Sequence, residues 1–281
     1  MIVDAHHHFW DYSPDEYGWI DPESMGGIAR NFAPGDLRAV LDAAGVDAAV
    51  SVQARQTVDE TKWLLSLADD APWIAGVVGW APLAAADARE RLAELAHPKL
   101  CGVRHVVQDE PDDRFLLRED FNRGVAALLD FELVYDLLVF ERHLGVAAEF
   151  VDRHPSQPFV LDHLAKPPIN SGELQGWRRG LGELAQRPNV YAKLSGLVTE
   201  ADWTRWRRED LLPCLDAALE SFGPDRLMFG SDWPVCLLAS GYEDWKRIID
   251  DWAAPLSPSE RSRLMGGVAC EVYGLCPEGV C

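Results

Sequence analysis

The chain has 281 residues, of which 48% are hydrophobic and 26% charged, with 11 Trp; that is ample apolar material for one large core and excludes a disordered chain. Its 46 Asp and Glu against 26 Lys and Arg give a formal net charge of −20, a surface that repels phosphate backbones and anionic membranes, so no nucleic acid and no membrane is expected as a partner. No apolar run reaches the roughly 18 residues that a membrane span needs, and Met1-Ile2-Val3 reads as a strand rather than a signal, which makes the cytoplasm the expected location.

The first apolar run covers residues 2–5. It is followed by a stretch, 11–34, with no clear helix or strand, which holds Tyr12, Tyr17, Trp19, Met25 and the pair Gly26-Gly27. A loop this long within a compact domain is expected to be functional and, leaving the C-terminal end of the first strand, to overhang whatever site those ends build. Asp36 then stands where it could cap a helix with Leu37, Val40, Leu41 and Ala44 on one face, and Gly45 where that helix would end. Further strand-like runs follow at 48–52, 74–80, 100–107, 133–138, 159–162, 190–194 and 227–230, each nearly continuous in apolar residues, as strands buried on both faces require. Helical patterns fill the intervals. Near the end, Ser257-Pro258-Ser259-Glu260 carries an N-cap, a proline at the first helical position and a reciprocal Glu, predicting a helix through Leu264.

Eight strands alternating with helices predict an α/β fold, a single (β/α)8 TIM barrel over residues 1–281. No G-x-G-x-x-G follows the first strand, which removes the main support for a dinucleotide fold. The six cysteines (Cys101, Cys214, Cys236, Cys270, Cys276 and Cys281) lack paired C-x-x-C spacing. They read as reduced thiols, inert where buried, with Cys276 and Cys281 at the tail open to oxidation.

In such a barrel the C-terminal strand ends converge, so polar groups there are candidate chemistry. The first strand runs into Asp4-Ala5-His6-His7-His8-Phe9-Trp10, where the period of two aims His6 and His8 to one side and His7 to the other. The sixth runs into Asp162-His163 and the eighth into Ser231-Asp232-Trp233. Three imidazoles and a carboxylate suit either one divalent cation or a metal-free proton-transfer cluster. Arg55, Arg104, His105 and Lys193 supply further polar groups around the rim, and Trp10, Trp80 and Trp233 could floor a sugar-ring pocket.

Together, D-A-H-H-H-F-W (4–10), D-H-L-A-K-P (162–167), K-L-S-G (193–196) and G-S-D-W-P (230–234) resemble the lactonase branch of the amidohydrolase superfamily, over about residues 3 to 275. That branch includes sugar-acid lactonases of the fuconolactonase and rhamnonolactonase kind and the pyrone dicarboxylate lactonase. The resemblance implies a distorted barrel of amidohydrolase type, with His6, His8, His163 and Asp232 as catalytic and metal-ligating positions. Arg104-His105 stands where a bridging carboxylated lysine or glutamate would be expected, which argues against two metals. One zinc or manganese ion and a metal-free site both stay open. The implied reaction is hydrolysis of a small lactone, most simply a sugar-acid lactone, with Asp232 as general base and the imidazoles stabilising the oxyanion directly or through the cation. Arg104, His105, Arg55, Lys193, Trp10 and Trp233 would bind the substrate. The alternatives are metal-dependent non-oxidative decarboxylation of an aromatic or unsaturated acid, and a non-catalytic sensor barrel. Exposed helix faces on such barrels also support homodimers.

Overall fold

The structure is a computed structural model that describes residues 1–275. Its sheet has eight parallel strands in chain order, β1 (Val3–His7), β2 (Ala48–Val52), β3 (Ile74–Gly79), β4 (Leu100–Val106), β5 (Val134–Leu138), β6 (Phe159–Leu161), β7 (Val190–Leu194) and β8 (Leu227–Phe229). A parallel bridge between His7 and Trp233 returns β8 to the side of β1. Two hydrogen bonds reinforce it, from His8 N–H to the Trp233 carbonyl (2.7 Å) and from Asp232 N–H to the His6 carbonyl (2.8 Å). The sheet thus curls into the expected (β/α)8 barrel.

Helices α1 (Pro34–Ala44), α2 (Val58–Asp70), α3 (Ala88–Glu94), α4 (Glu119–Ala127), α5 (Leu144–Asp152), α6 (Leu174–Leu184), α7 (Arg208–Phe222) and α8 (Tyr242–Ala253) alternate with the strands, and α9 (Pro258–Ser262) and α10 (Val268–Val272) follow. Among the described residues no helix is long and apolar enough to cross a membrane.

Helix α1 starts earlier than its capping signal suggests. Pro34, with its preset φ, opens it, and Asp36 sits in the first turn, where its carboxylate accepts from the Ala33 N–H at 2.8 Å instead of capping the helix itself. Leu37 and Leu41 are buried and Gly45 ends the helix, as the periodicity predicts. The Ser257 cap with its reciprocal Glu260 is present, but a π-helical turn (Arg263–Gly267) interrupts the expected continuous helix before α10. Residues Val268, Ala269 and Tyr273 of this last segment pack on Val3, Ala5, Val50, Val134 and Met228. They close the end of the barrel opposite the C-terminal strand ends.

Cys101, Cys214 and Cys236 are buried free thiols and Cys270 is half-buried; Cys276 and Cys281 lie outside the described residues.

Candidate active site

The site is built where β1 changes course. Its pairing with β2 shifts register between Asp4 and His7, the local irregularity by which a bulge re-aims side chains. Asp4 accepts from the Ser231 N–H (2.8 Å), the His6 N–H (3.1 Å) and the Tyr242 hydroxyl (3.1 Å), tying the end of β1 to that of β8. Its carboxyl, pushed up by burial against these donors, sits at about 6. His6 and His8 turn inward. His7 turns out, with its Nε2 3.0 Å from the Ser51 hydroxyl and its ring against Phe9.

His163 arrives on an unusual backbone. His163, Leu164, Ala165 and Lys166 all have φ between 51° and 59°, and Asp232 has φ 58°, conformations that non-glycine residues adopt only against a steric cost. Gly196 is what makes room: a Cβ there would lie 2.5 Å from His163 Nδ1. With space left on that side, the ring takes the Ser195 hydroxyl at 2.9 Å on Nδ1 and turns Nε2 towards Asp232.

The four predicted residues meet. Asp232 Oδ1 lies 3.3 Å from His8 Nε2, 3.8 Å from His6 Nε2 and 3.9 Å from His163 Nε2, and the two Nε2 atoms of His6 and His8 are 3.2 Å apart. His8 Nδ1 sits 2.8 Å from the Val52 carbonyl and so must carry the proton, which leaves His8 Nε2 a bare lone pair at the centre. Ligand atoms of His6, His8 and Asp232 all fall within 4.8 Å of one another. Converging lone pairs and a carboxylate are the donor set of a divalent cation, so these residues fit one. Burial raises the Asp232 carboxyl, but the charge that His163 takes up on acidification outweighs it and keeps the group below its ordinary value, ionised at pH 7. Burial drives His163 down to about 4 and His6 well below the usual histidine value, so both rings are neutral at pH 7.

Above this centre opens a cavity of about 550 Å³ lined by His8, His163 and Asp232, by Arg55, Arg104, Gln108 and Lys166, and by Asp15, Glu16 and Trp19 of the long first loop. Residues of that loop therefore stand at the mouth of the cavity. A larger depression of 710 Å³ beside Glu141, Arg142 and the start of α6 has no histidine in its lining and stands apart from this chemistry.

Of the predicted substrate-binding residues, Arg55 and Arg104 line the cavity and four do not. Lys193 is completely buried beneath His6, bound to Asp136 (2.5 Å) and Asp162 (3.0 Å). His105, one residue after inward-facing Arg104, faces out by the strand alternation, stacking on Phe115 and meeting Glu110 at 2.6 Å. Trp10 donates to the Arg30 carbonyl at 2.8 Å and packs on Phe32, which anchors the loop. Trp233 packs on Phe9 and Phe32, and Trp80 reaches His105 at 3.4 Å. The aromatic at the cavity is Trp19, 40% exposed.

Sequence reasoning missed the buried carboxylates Asp162 and Asp136, and Lys166. Asp162 Oδ1 lies 3.2 Å from His6 Nδ1 and Asp162 Oδ2 takes Arg104 Nη1 at 2.9 Å. Burial raises its carboxyl, yet Lys193 and His6 carry it well below the ordinary range. The available signal was a charge inside an apolar strand, which needs a buried partner.

The amidohydrolase family model matches residues 3–275. The chain belongs to the amidohydrolase family. It is 48% identical to an L-fucono-1,5-lactonase of Burkholderia multivorans, over 98% of this chain and 96% of that protein. It is 39% identical to an L-fucono-1,5-lactonase of Burkholderia ambifaria, over 96% and 94%. The crystal structure of a B. multivorans amidohydrolase with bound zinc superposes with a TM-score of 0.95 at 48% identity, covering 98% of this chain and 100% of that one.

Proposed function

We propose that this amidohydrolase opens a sugar-acid lactone by hydrolysis, with Asp232 as general base. The observation that carries the reading is the convergence of three imidazole nitrogens on the Asp232 carboxylate, which stays ionised at the floor of a solvent-open cavity.

In the reaction, water adds to the ring carbonyl carbon as Asp232 takes its proton. The oxyanion that forms is stabilised by Arg104 and by the histidine side of the pocket. Collapse breaks the ring C–O bond, and the proton on Asp232 passes to the departing alkoxide, leaving a hydroxy acid. His6, His8 and Asp232 would hold a single divalent cation, such as the zinc bound by the B. multivorans neighbour, with His163 facing the same carboxylate. When bound, it supplies Lewis-acid polarisation of the lactone carbonyl.

The charges lining the cavity favour a neutral, hydroxyl-rich substrate. Arg55 pairs with Glu16 (2.7 Å), Arg104 with Asp162 (2.9 Å) and Lys166 faces Glu200 (3.9 Å), so each cation named here already has a carboxylate partner. Asp15 and Asp109 add negative charge. A dicarboxylate lactone or an aromatic acid awaiting decarboxylation would need free cations here, whereas alternating donors and acceptors suit sugar hydroxyls. The two L-fucono-1,5-lactonase relatives point the same way. The proposal sets the enzyme in the cytoplasm, where its buried thiols remain reduced.

The test is Asp232→Asn assayed with L-fucono-1,5-lactone in a pH-indicator screen. Turnover is expected to fall by roughly a thousandfold or more with circular dichroism unchanged. A variant keeping a tenth of the rate would remove the general-base assignment.

A further inference from the structure

Beneath the centre runs a column of buried polar groups that the hydrolytic steps do not use. At the closed end of the barrel the Tyr273 hydroxyl, just after α10, donates to both oxygens of Asp136 on β5, at 2.8 and 2.9 Å. Asp136 Oδ2 takes Lys193 Nζ, from β7, at 2.5 Å, and the same ammonium lies 3.0 Å from Asp162 Oδ1 and 3.2 Å from His6 Nδ1. Asp136, Asp162 and Lys193 are all completely buried. Apolar side chains of similar size would fill this space without the desolvation cost of buried charges, so packing alone does not account for the column.

What the column touches is a histidine with a contested tautomer. A neutral imidazole has one donor and one acceptor nitrogen. His6 Nδ1 is 3.2 Å from Lys193 Nζ, which can only donate, and 3.2 Å from Asp162 Oδ1, which accepts. On the other side, His6 Nε2 faces Arg104 Nη1 at 3.3 Å and the bare His8 Nε2 at 3.2 Å. If Lys193 donates to Nδ1, the proton moves to Nε2, where the bare His8 Nε2 accepts it and no lone pair of His6 faces the centre. If Lys193 is held back, Nδ1 keeps its proton for Asp162 and Nε2 stays bare. The shortest contact of Lys193 is to Asp136, and Tyr273 keeps that carboxylate turned towards it.

We propose that Tyr273 is a positioning residue: through Asp136 and Lys193 it selects the His6 tautomer whose Nε2 lone pair faces the reacting centre. The proposal rests on the reading of His6 as part of that centre. It makes the segment at the far end of the barrel a determinant of the site's affinity for a cation.

The experiment uses the full-length protein and long-range ¹⁵N–¹H spectra of the histidine rings, with His6 assigned by the signals missing in His6→Asn. In Tyr273→Phe the His6 ring is expected to shift from the Nδ1–H to the Nε2–H form, zinc affinity by titration to fall about tenfold, and kcat to fall about tenfold with KM unchanged. Asp136→Asn, which keeps the shape of the carboxylate, is expected to move the tautomer the same way and decides the matter alone if Tyr273→Phe does not fold. In a Lys193→Met background no ammonium competes for Nδ1, so adding Tyr273→Phe is expected to change neither tautomer nor zinc affinity. An unchanged His6 tautomer and zinc affinity in both Tyr273→Phe and Asp136→Asn would overturn the proposal. Both readouts work without substrate, so wild-type protein that binds zinc yet opens no lactone refutes the functional reading and leaves the column standing.

Discussion

Adjacent residues at the ends of β1 and β4 lead opposite lives. His6 and Arg104 face into the barrel and join one connected set of charges and imidazoles; His7 and His105 face outward and are held by an ordinary hydroxyl, a carboxylate and aromatic rings. The residue type is the same on both faces of β1, so what makes a histidine chemical here is the side of the strand it occupies. The inner row depends on exact mutual placement, whereas the outer row mainly contributes to folding. Variants on each face should therefore separate activity from stability.

The largest effect belongs to the inner row. In Gly196→Ala the added methyl would stand 2.5 Å from His163 Nδ1 and 2.7 Å from its Cγ, at a residue whose φ is +68°. The ring must move, which breaks its contact with Ser195 and misdirects Nε2. A shift of about 1 Å at a reacting group costs on the order of a hundredfold in rate, so kcat is expected to fall about a hundredfold, read in steady-state assays. Wild-type kcat in Gly196→Ala would mean that the orientation of His163 does not matter, and the inner row would lose a member.

On the outer side, His7 should reveal itself through pH. Burial, followed by the neighbouring His8, brings its pKa down to about 3. Because the folded value lies below the unfolded value of about 6.5, the unfolded chain takes up a proton that the native protein refuses as pH drops beneath 6.5. Stability is then complete above that pH and declines on acidification, by about 2 kcal/mol at pH 5 from this residue. Asp4 and Asp136, both raised to about 6 by burial, act in the opposite direction below pH 6. Comparing wild type with His7→Gln isolates the His7 share. Denaturant melts at pH 7 and pH 5 should show a flatter dependence in the variant, with kcat at pH 7 nearly unchanged; equal slopes would mean that His7 titrates normally.

Where the inner row meets the long first loop, Arg55 bridges Glu16 and Glu60, with its guanidinium 5.0 Å from the Tyr17 ring. Arg55→Met removes a cation from the cavity wall and the tie to the loop while leaving the centre intact. KM for the lactone is expected to rise about tenfold, some 1.4 kcal/mol, with kcat within a few-fold. A fall in kcat alone would put Arg55 among the reacting groups.

The contrast also explains what the sequence could disclose. Eight apolar runs at regular spacing specify the barrel because parallel strands buried on both faces are apolar throughout. His6, His8, His163 and Asp232 were legible because strand ends of a barrel converge on one mouth and a period of two sorts β1 into faces. Applied to β4, that same period would have turned His105 away from the cavity. Trp10 and Trp233 were misjudged because nothing local tells an aromatic that anchors a loop from one that meets a ligand; Trp19 held the cavity position from within an irregular segment. The ionic column was hidden for a different reason. Asp136, Asp162 and Lys193 stand on separate strands, and only the closed barrel makes them neighbours.

The smallest effect is the sharpest check on the two faces. His105 stacks on Phe115 with ring centroids 4.8 Å apart and meets Glu110 at 2.6 Å, next to an arginine that lines the cavity. His105→Gln loses the stack and most of the pair, together about 1 kcal/mol for a partly exposed interaction, and should lower the melting temperature by a few degrees. Since the ring lies outside the cavity lining, kcat/KM is expected to stay within about twofold of wild type, whereas Arg104→Gln on the preceding residue should cost at least a hundredfold. If His105→Gln instead matched the loss of Arg104→Gln, a residue on the outer face would be reaching the substrate, and the division of the strand ends into a chemical side and a packing side would fail.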